Sequence, residues 1–432
     1  MAAETLSIIL SSIFFISVMV IFTQENLDYV AYSLLLALIS CITVYYIFGT
    51  GLDTFLETIE YDAIIFIVSM QIILGIAEKH NIFQWIALKA IHFTKGDHKK
   101  FFFLICFMAS FSSSLVSDIT VGIIFVPLVI RACKILKIDS TPYLFGLSFT
   151  INVGSLYTPF SSSENILISS AFDLDLFWFL EHFTLLYFPL VFITLFVLKK
   201  KFLDKVAPPD EMQKKILLDI MHPELVLIDK KKFKINSYAL IGVLVGFIII
   251  PEAYIVAMAG ALIISLLNKT EFAESLRKID WKVISFLISM FLLIGTMEIN
   301  GTFDIIGNGV QSILPNNILL ASFVVLFLIS VLSGFLAQVP TAIVFITLLE
   351  GIYGGNTPPI IIMAFILGIN IGSNFLPQGA ACDLITLNLA KKNGVTGFNY
   401  KSLLVNGSKM TLFHIFNSIV YLTLYALIAG II

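Results

Sequence analysis

Between Ser148 and Ser170 an apolar run long enough to enter a bilayer is cut in two. The interruption reads Thr158-Pro159-Phe160-Ser161-Ser162-Ser163, and a carboxylate, Glu164, follows at once. Proline donates no backbone hydrogen bond and clashes with the preceding turn, so a helix breaks there. Inside a membrane, broken backbone survives only where protein or a water-filled cavity satisfies it. The interruption therefore reads as a site rather than a spacer. The same device returns at Gly368–Asn388, GINIGSNFLPQGAACDLITLN.

The rest of the chain fits a membrane setting. Of its 432 residues 58% are hydrophobic and 13% charged, against about 45–50% and about 25% in soluble domains. The apolar runs are near the ~20 residues that span a bilayer core. The sequence thus predicts an all-α polytopic membrane protein. A net charge of −3 and scattered cations leave no basic face for nucleic acid. Cys41, Cys106, Cys133 and Cys382 show no CxxC spacing and read as small buried hydrophobes, not disulfides or metal ligands. The six histidines share no metal spacing; His182 and His414 read as core residues. Trp85, Trp178 and Trp281 fall at expected interfaces as anchors. No GxxxxGK[ST] motif occurs, so no ATPase subunit is implied and no cofactor is expected beyond a coupling ion.

Spans are expected at about 5–23, 29–48, 61–78, 101–131, 143–172, 176–197, 237–250, 253–268, 281–297, 315–349, 360–388 and 411–431. The first has no basic flank and reads as a transmembrane helix rather than a cleaved signal. Spans 101–131 and 315–349 are too long for one crossing and read as re-entrant hairpins, with Asp118 and Gln338 at the tips. Between 79 and 100 lies an amphipathic helix with Ile82, Phe83, Ile86, Ala90 and Phe93 on its apolar side, expected along the membrane surface. The chain divides into an N-terminal helix (1–28), repeat 1 (29–197, hairpin 101–131, broken helix 143–172), a charged, solvated cytoplasmic linker (198–236) and repeat 2 (237–432, hairpin 315–349, broken helix 360–388).

Two observations make these repeats inverted. With 198–236 in the cytoplasm, all 26 Lys and Arg fall on the cytoplasmic side, as the positive-inside bias requires. Segments 49–60, 173–175, 298–317 and 350–359 carry none. Hairpin 101–131 then enters from the cytoplasm, hairpin 315–349 from outside, and both termini lie outside the cell membrane. Independently, Phe66–Met70 matches Phe286–Met290 at a spacing of 220 (70 to 290). Near the break the spacing slips to 218, where Ile151–Ser155 matches Ile369–Ser373, Pro159 matches Pro377 and Asn165 matches Asp383. Inverted repeats with broken helices are the sequence signature of alternating-access transporters.

Four helix N-termini are expected to converge, at Ile119, Val339, Glu164 and Cys382. Each offers unpaired N–H groups and a positive dipole end to an anion. Freed carbonyls before each break suit Na⁺. Candidate ligands in the first half are Ser117, Thr120, Asn152, Ser155, Thr158, Ser161, Ser162, Ser163 and Asn165. In the second half they are Thr341, Asn370, Ser373, Asn374 and Gln378. Asp118, Glu164, Gln338 and Asp383 are the candidates for cation or proton coupling, with Na⁺ expected at Asp118, Asn152, Asn370 and Asp383. A bare carboxylate at that depth must bind a cation, pair with a base or be protonated. No Lys or Arg lies near these three acids in their segments. The plainer alternative is that each caps a half-helix.

At these residues the chain resembles the ion transporter superfamily, which includes arsenite permeases, related sodium/proton antiporters, the P-protein and citrate-transporter group, and divalent-anion/sodium symporters. The resemblance covers about 60–420. It is carried by the run Ile59–Lys95 and by INVGSLYTP…ENILI and INIGSNFLP…DLITL. It implies a secondary active transporter for a small anion, arsenite-like oxyanion or carboxylate, coupled to Na⁺ or H⁺, and a homodimer. In that family a hairpin tip usually carries a Ser/Asp-Asn-x-Thr motif. Here Ser117-Asp118-Ile119-Thr120 has Asp in the Asn place, and Ala337-Gln338-Val339-Pro340-Thr341 has Gln. Ser161–Ser163 replaces a Gly-rich turn, and Asp383 replaces a second Asn. The extra acid favours cation or proton handling, so a Na⁺/H⁺ antiporter is the alternative. An intramembrane aspartyl protease using Asp118 and Asp383 is a remote third, without a GxGD stretch.

Overall fold

The computed structural model describes residues 2–22, 27–250, 252–268, 272–336 and 338–431. Thr23, Lys269 and Ala337, which the sequence reading draws on, lie outside them. Among the described residues every regular element is a helix, and nine helices are long and apolar enough to cross a membrane.

The first ten helices are α1 (Ala2–Phe22), α2 (Tyr29–Phe48), α3 (Leu52–Glu57), α4 (Tyr61–Lys79), α5 (Ile82–Phe93), α6 (His98–Ser113), α7 (Asp118–Leu136), α8 (Thr141–Ser155), α9 (Ser163–Ala171) and α10 (Leu176–Lys201). A short α11 (Glu211–Ile220) follows. Ten more complete the chain: α12 (Lys230–Ile249), α13 (Ala253–Asn268), α14 (Phe272–Lys278), α15 (Trp281–Ile299), α16 (Thr302–Ile313), α17 (Ile318–Leu336), α18 (Gln338–Tyr353), α19 (Pro359–Gly372), α20 (Ala381–Lys392) and α21 (Tyr400–Ile428).

The succession of helices recurs at the spacing read in the sequence. Helices α4, α5, α6 and α7 start at 61, 82, 98 and 118, and α15, α16, α17 and α18 at 281, 302, 318 and 338, each 220 later. Helices α8 and α9 start at 141 and 163, α19 and α20 at 359 and 381, each 218 later. Packing recurs with it. Helix α6 lies on α8 as α17 lies on α19. Helices α2 and α15 pair, as do α13 and α4. Helix α7 packs on α20, and α18 on α9.

The breaks have local causes. Helix α6 ends in a serine run, where the Ser114 hydroxyl donates to the Phe111 carbonyl and competes with the helical ladder. Pro340 sits in the first turn of α18, where its missing N–H costs no helical bond. Thr158-Pro159 follows the end of α8, and Pro377 follows a short 3₁₀ turn at Ser373–Phe375. Every residue of α8 is buried, as is every residue of α19 from Ile360 on. Helices apolar on all sides belong at the centre of a fold, so both breaks sit in the middle of the molecule. Outward faces of α1 and α2 expose Ile9, Ile16, Leu35 and Leu38, as lipid-facing helices do.

Two details differ from expectation. The linker is shorter than 198–236, because α10 continues to Lys201 and α12 begins at Lys230. It is also anchored: α11 packs on α7 through the fully buried Leu217. On α5, Ile82, Phe83 and Ala90 are buried, but Phe93 is 81% exposed and stands away from that face.

Candidate functional site

The broken helices of the two halves pack on one another. Helix α7 runs along α20, α18 along α9, and α8 touches both α19 and α20. Each start lies one residue earlier than the sequence suggests: Asp118, Gln338, Ser163 and Ala381. Each start offers free N–H groups and a positive dipole end.

At the first break Asn165 is buried and turned into its own loop. Its Nδ2 donates to the carbonyls of Ser155 (2.6 Å) and Thr158 (3.1 Å) and to Ser161 Oγ (3.1 Å). Ser161 Oγ donates to the Ser155 and Thr158 carbonyls. Ser162 caps α9 by accepting from the Asn165 N–H. Asn165 Oδ1 accepts from Asn370 Nδ2 of α19 at 2.9 Å, so the loop is tied across to the other half.

At the second break Asp383 is buried and turned outward to α8. Its Oδ1 accepts from the Ser148 hydroxyl, and its Oδ2 lies 3.5 Å from Asn152 Nδ2. Asn152 Nδ2 also donates to Asn374 Oδ1 at 2.8 Å, and the Cys382 thiol donates to Asn152 Oδ1 at 3.0 Å. Asn152 and Asn370 occupy matching positions, 218 apart, and each reaches the opposite half's broken helix.

Close backbone approach holds both pockets. A Cβ on Gly154 would run into the Ser110 carbonyl, and one on Gly372 into the Ser330 carbonyl. Ser113 Oγ donates to the Ile151 carbonyl (2.9 Å) and Ser333 Oγ to the Ile369 carbonyl (2.8 Å), again matching positions.

Asp118, in the first turn of α7, faces the same neighbourhood as Glu164 and Asp383. It also touches Cys382, whose backbone lies against Gly122, one turn further along α7. Its Oδ1 accepts from the N–H of its neighbour Ile119 at 2.8 Å, within the first turn of α7. This bond does not neutralise the charge. No Lys or Arg occurs between Lys100 and Arg131, between Lys137 and Lys199 or between Lys282 and Lys391, so no Lys or Arg from these segments can do so. Two buried polar atoms also stand without a partner: Asn370 Oδ1, an acceptor, and Asn374 Nδ2, a donor. Among the described residues no three His, Cys, Asp or Glu gather as a metal-binding group.

Ser155, Thr158, Ser162, Asn165, Asn152, Asn370, Ser373, Asn374, Glu164 and Asp383 are buried together at the two breaks. Ser117, Asp118, Thr120 and Gln338 are half-buried at the two α7 and α18 starts, Ser163 is half-buried at the start of α9, and Thr341 is buried one turn into α18. Gln378 does not join them: it is exposed and accepts from the Tyr400 hydroxyl at 2.8 Å. Ser148 and Cys382 were not singled out as ligands. Ser148 lies one turn before Asn152, a spacing that puts both on one face of α8. Cys382 is buried as expected, but it donates to the polar network rather than filling apolar space.

Two acid-lined cavities reach α9. One of about 460 Å³ is lined by Glu57, Glu60, Glu298 and Glu350 together with Leu167 and Ala171. Another of about 320 Å³ is lined by Asp62, Asp173, Asp175 and Glu252 together with Pro159 and Ile166. Burial, with Asp62 beside it, raises the pKa of Glu60.

The family model described as citrate transporter matches residues 17–368, most of the chain. The chain belongs to the citrate transporter family. The match takes in Asp118, Asn152, Glu164 and Asn165 and ends just before Asn370. An uncharacterized transporter of Mycobacterium tuberculosis is 24% identical over 388 residues, 86% of each chain. The 46 kDa membrane protein of Mycobacterium leprae is 22% identical over 403 residues, 91% of each. A Dictyostelium discoideum protein named as the transporter arsB is 29% identical over 125 residues, 29% of this chain and 22% of its own. Membership makes this citrate-transporter homologue a multi-pass membrane transporter for an ion or small molecule. It is not an enzyme, which removes the protease reading.

Proposed function

We propose that this transporter is a secondary carrier of a small carboxylate or oxyanion, coupled to Na⁺ or H⁺. What supports the reading is three acids, Asp118, Glu164 and Asp383, at the starts of packed broken helices, with no Lys or Arg near them in their segments. The N–H groups and Asn374 Nδ2 suit an anion. The acids and Asn370 Oδ1 suit a cation or proton. A site with both sets favours an anion and a cation together over either alone, and that difference is what coupling requires. The family's description puts a carboxylate first among candidate cargoes. For the cation, Asp118, Asn152, Asn370 and Asp383 offer carboxylate and amide oxygens, the hard donors that suit Na⁺ or Mg²⁺-like ions better than soft ones.

Alternating access follows if the two runs of helices face opposite sides of the bilayer, as the Lys and Arg distribution argues. The acid-lined cavities at α9 then open to the outside of the cell membrane and both termini lie there. Hairpins α6–α7 and α17–α18 are re-entrant in this reading, and the carrier works as a homodimer, as the superfamily resemblance implies. A Na⁺/H⁺ antiporter is the second reading, favoured by the acids alone.

Uptake of labelled citrate, smaller carboxylates and oxyanions into proteoliposomes, with and without Na⁺ and pH gradients, tests the proposal. Gradient-dependent accumulation of one of them is expected. A Na⁺-driven pH change with no anion present, and no anion uptake, would replace the proposal with the antiporter.

A further inference from the structure

A second feature, remote from the breaks, has its own chemistry. Along α6, beside the seam it makes with α10, runs a groove of about 960 Å³, at the upper end of small-molecule pocket sizes of about 300–1,000 Å³. Its walls are Phe103, Leu104 and Phe107 of α6 and Phe192 of α10. Phe107 and Phe192 stack at 5.6 Å, and above them Phe103 meets Phe196 at 5.3 Å. The mouth is basic, formed by Lys95 and Lys100, with Phe93 beside them. Among the described residues neither lysine makes an ion pair, whereas neighbouring Lys99 is held by Asp204 at 3.1 Å. Asp97 shares the mouth, but its Oδ1 is occupied as the α6 cap, accepting from the Lys99 (3.0 Å) and Lys100 (2.9 Å) N–H groups.

The geometry matches one leaflet. Asp204 also lies 4.0 Å from Lys199, so the start of α6 and the end of α10 stand at one level. From Lys100 to Phe107 is seven residues, about 10 Å of helix rise. A leaflet is half of a ~30 Å core. The mouth is thus at headgroup height and the aromatic walls at acyl-chain depth.

We propose that this groove holds an anionic glycerophospholipid, its phosphate between Lys95 and Lys100 and an acyl chain along Phe103, Phe107 and Phe192. Basic pockets between helices on the Lys-rich side select anionic headgroups in this way. The aromatic walls set the ligand apart from a free phosphate, which has nothing to place there. The lipid bridges α6, whose far end is the tip before Asp118, to α10.

The test uses the purified full-length protein titrated with phosphatidylglycerol or phosphatidylcholine and read by native mass spectrometry. Wild type should retain phosphatidylglycerol in preference to phosphatidylcholine by about tenfold, the roughly thirtyfold that two lysines near a membrane surface supply less what the Asp97 charge offsets. Lys95→Glu with Lys100→Glu should abolish the preference, and Lys391→Glu with Lys392→Glu should keep it. A Leu104→Trp reporter should be quenched by brominated-chain phosphatidylglycerol more strongly than by the phosphatidylcholine equivalent, which keeps the test open if the charge reversals misfold. Equal retention of both lipids, or a preference untouched at Lys95 and Lys100, would overturn the proposal. So would a dimer that excludes lipid from the Leu104→Trp site.

Discussion

The first break and the second share a backbone plan and hold opposite chemistry. At the first, Asn165 closes its amide onto the carbonyls of its own loop. At the second, 218 positions on, Asp383 turns a carboxylate away from its loop to Ser148 and Asn152 of α8. The neighbouring positions differ in a matched way. Ser161 bridges the first loop to the Ser155 carbonyl, whereas its counterpart Gly379 leaves that space empty because a Cβ there would strike the Ser373 carbonyl. One loop is stitched shut by neutral groups. The other is tight by shape, which leaves its acid free to face the site. Each copy still carries one acid, but at adjacent positions: Glu164 stands where the second break has Cys382, and Asp383 stands where the first has Asn165.

The comparison can be broken by exchanging the two chemistries. Asn165→Asp should cost about 3 kcal/mol or more in detergent melts, since two buried carbonyls lose their donor at about 1–3 kcal/mol each. A melt within a degree of wild type would mean that the first pocket is as open as the second. The shared scaffold is sharpened by Gly154→Ala and Gly372→Ala. Each should destabilise by about 1–3 kcal/mol through overpacking against a fixed carbonyl, and the two losses should be similar. A large loss at one position only would show that the copies do not pack alike. Ser161→Gly copies the second loop into the first and should cost about 1–2 kcal/mol, for the bond its hydroxyl donates and the one it accepts from Asn165 Nδ2, with transport little changed.

Much of this is legible in the sequence. Pro159 and Pro377 mark the breaks because proline's effect on a helix is local. The spacing of 220 and then 218 survives into the helix starts because it reflects chain length between fixed elements. What was not legible is direction. Asn165 and Asp383 align in sequence, yet one points into its loop and the other out, set by the backbone at 156–162 and 376–380. The Ser148–Asp383 contact joins residues 235 apart, and no local pattern announces it. Gln378 looked like a ligand by its place beside Pro377, but the turn carries it to the surface, where Tyr400 binds it.

The central claim is that Asp383, with Asp118 beside it, carries the coupling ion. Proteoliposome uptake of the transported anion, driven by either a Na⁺ or a pH gradient, tests it in wild type and in Asp383→Asn and Asp118→Asn. Gradient-driven accumulation should fall at least about 100-fold in both variants, the loss of an interaction worth about 3 kcal/mol, while protein yield and melting stay near wild type. Uptake with unchanged ion dependence in both variants would contradict the account.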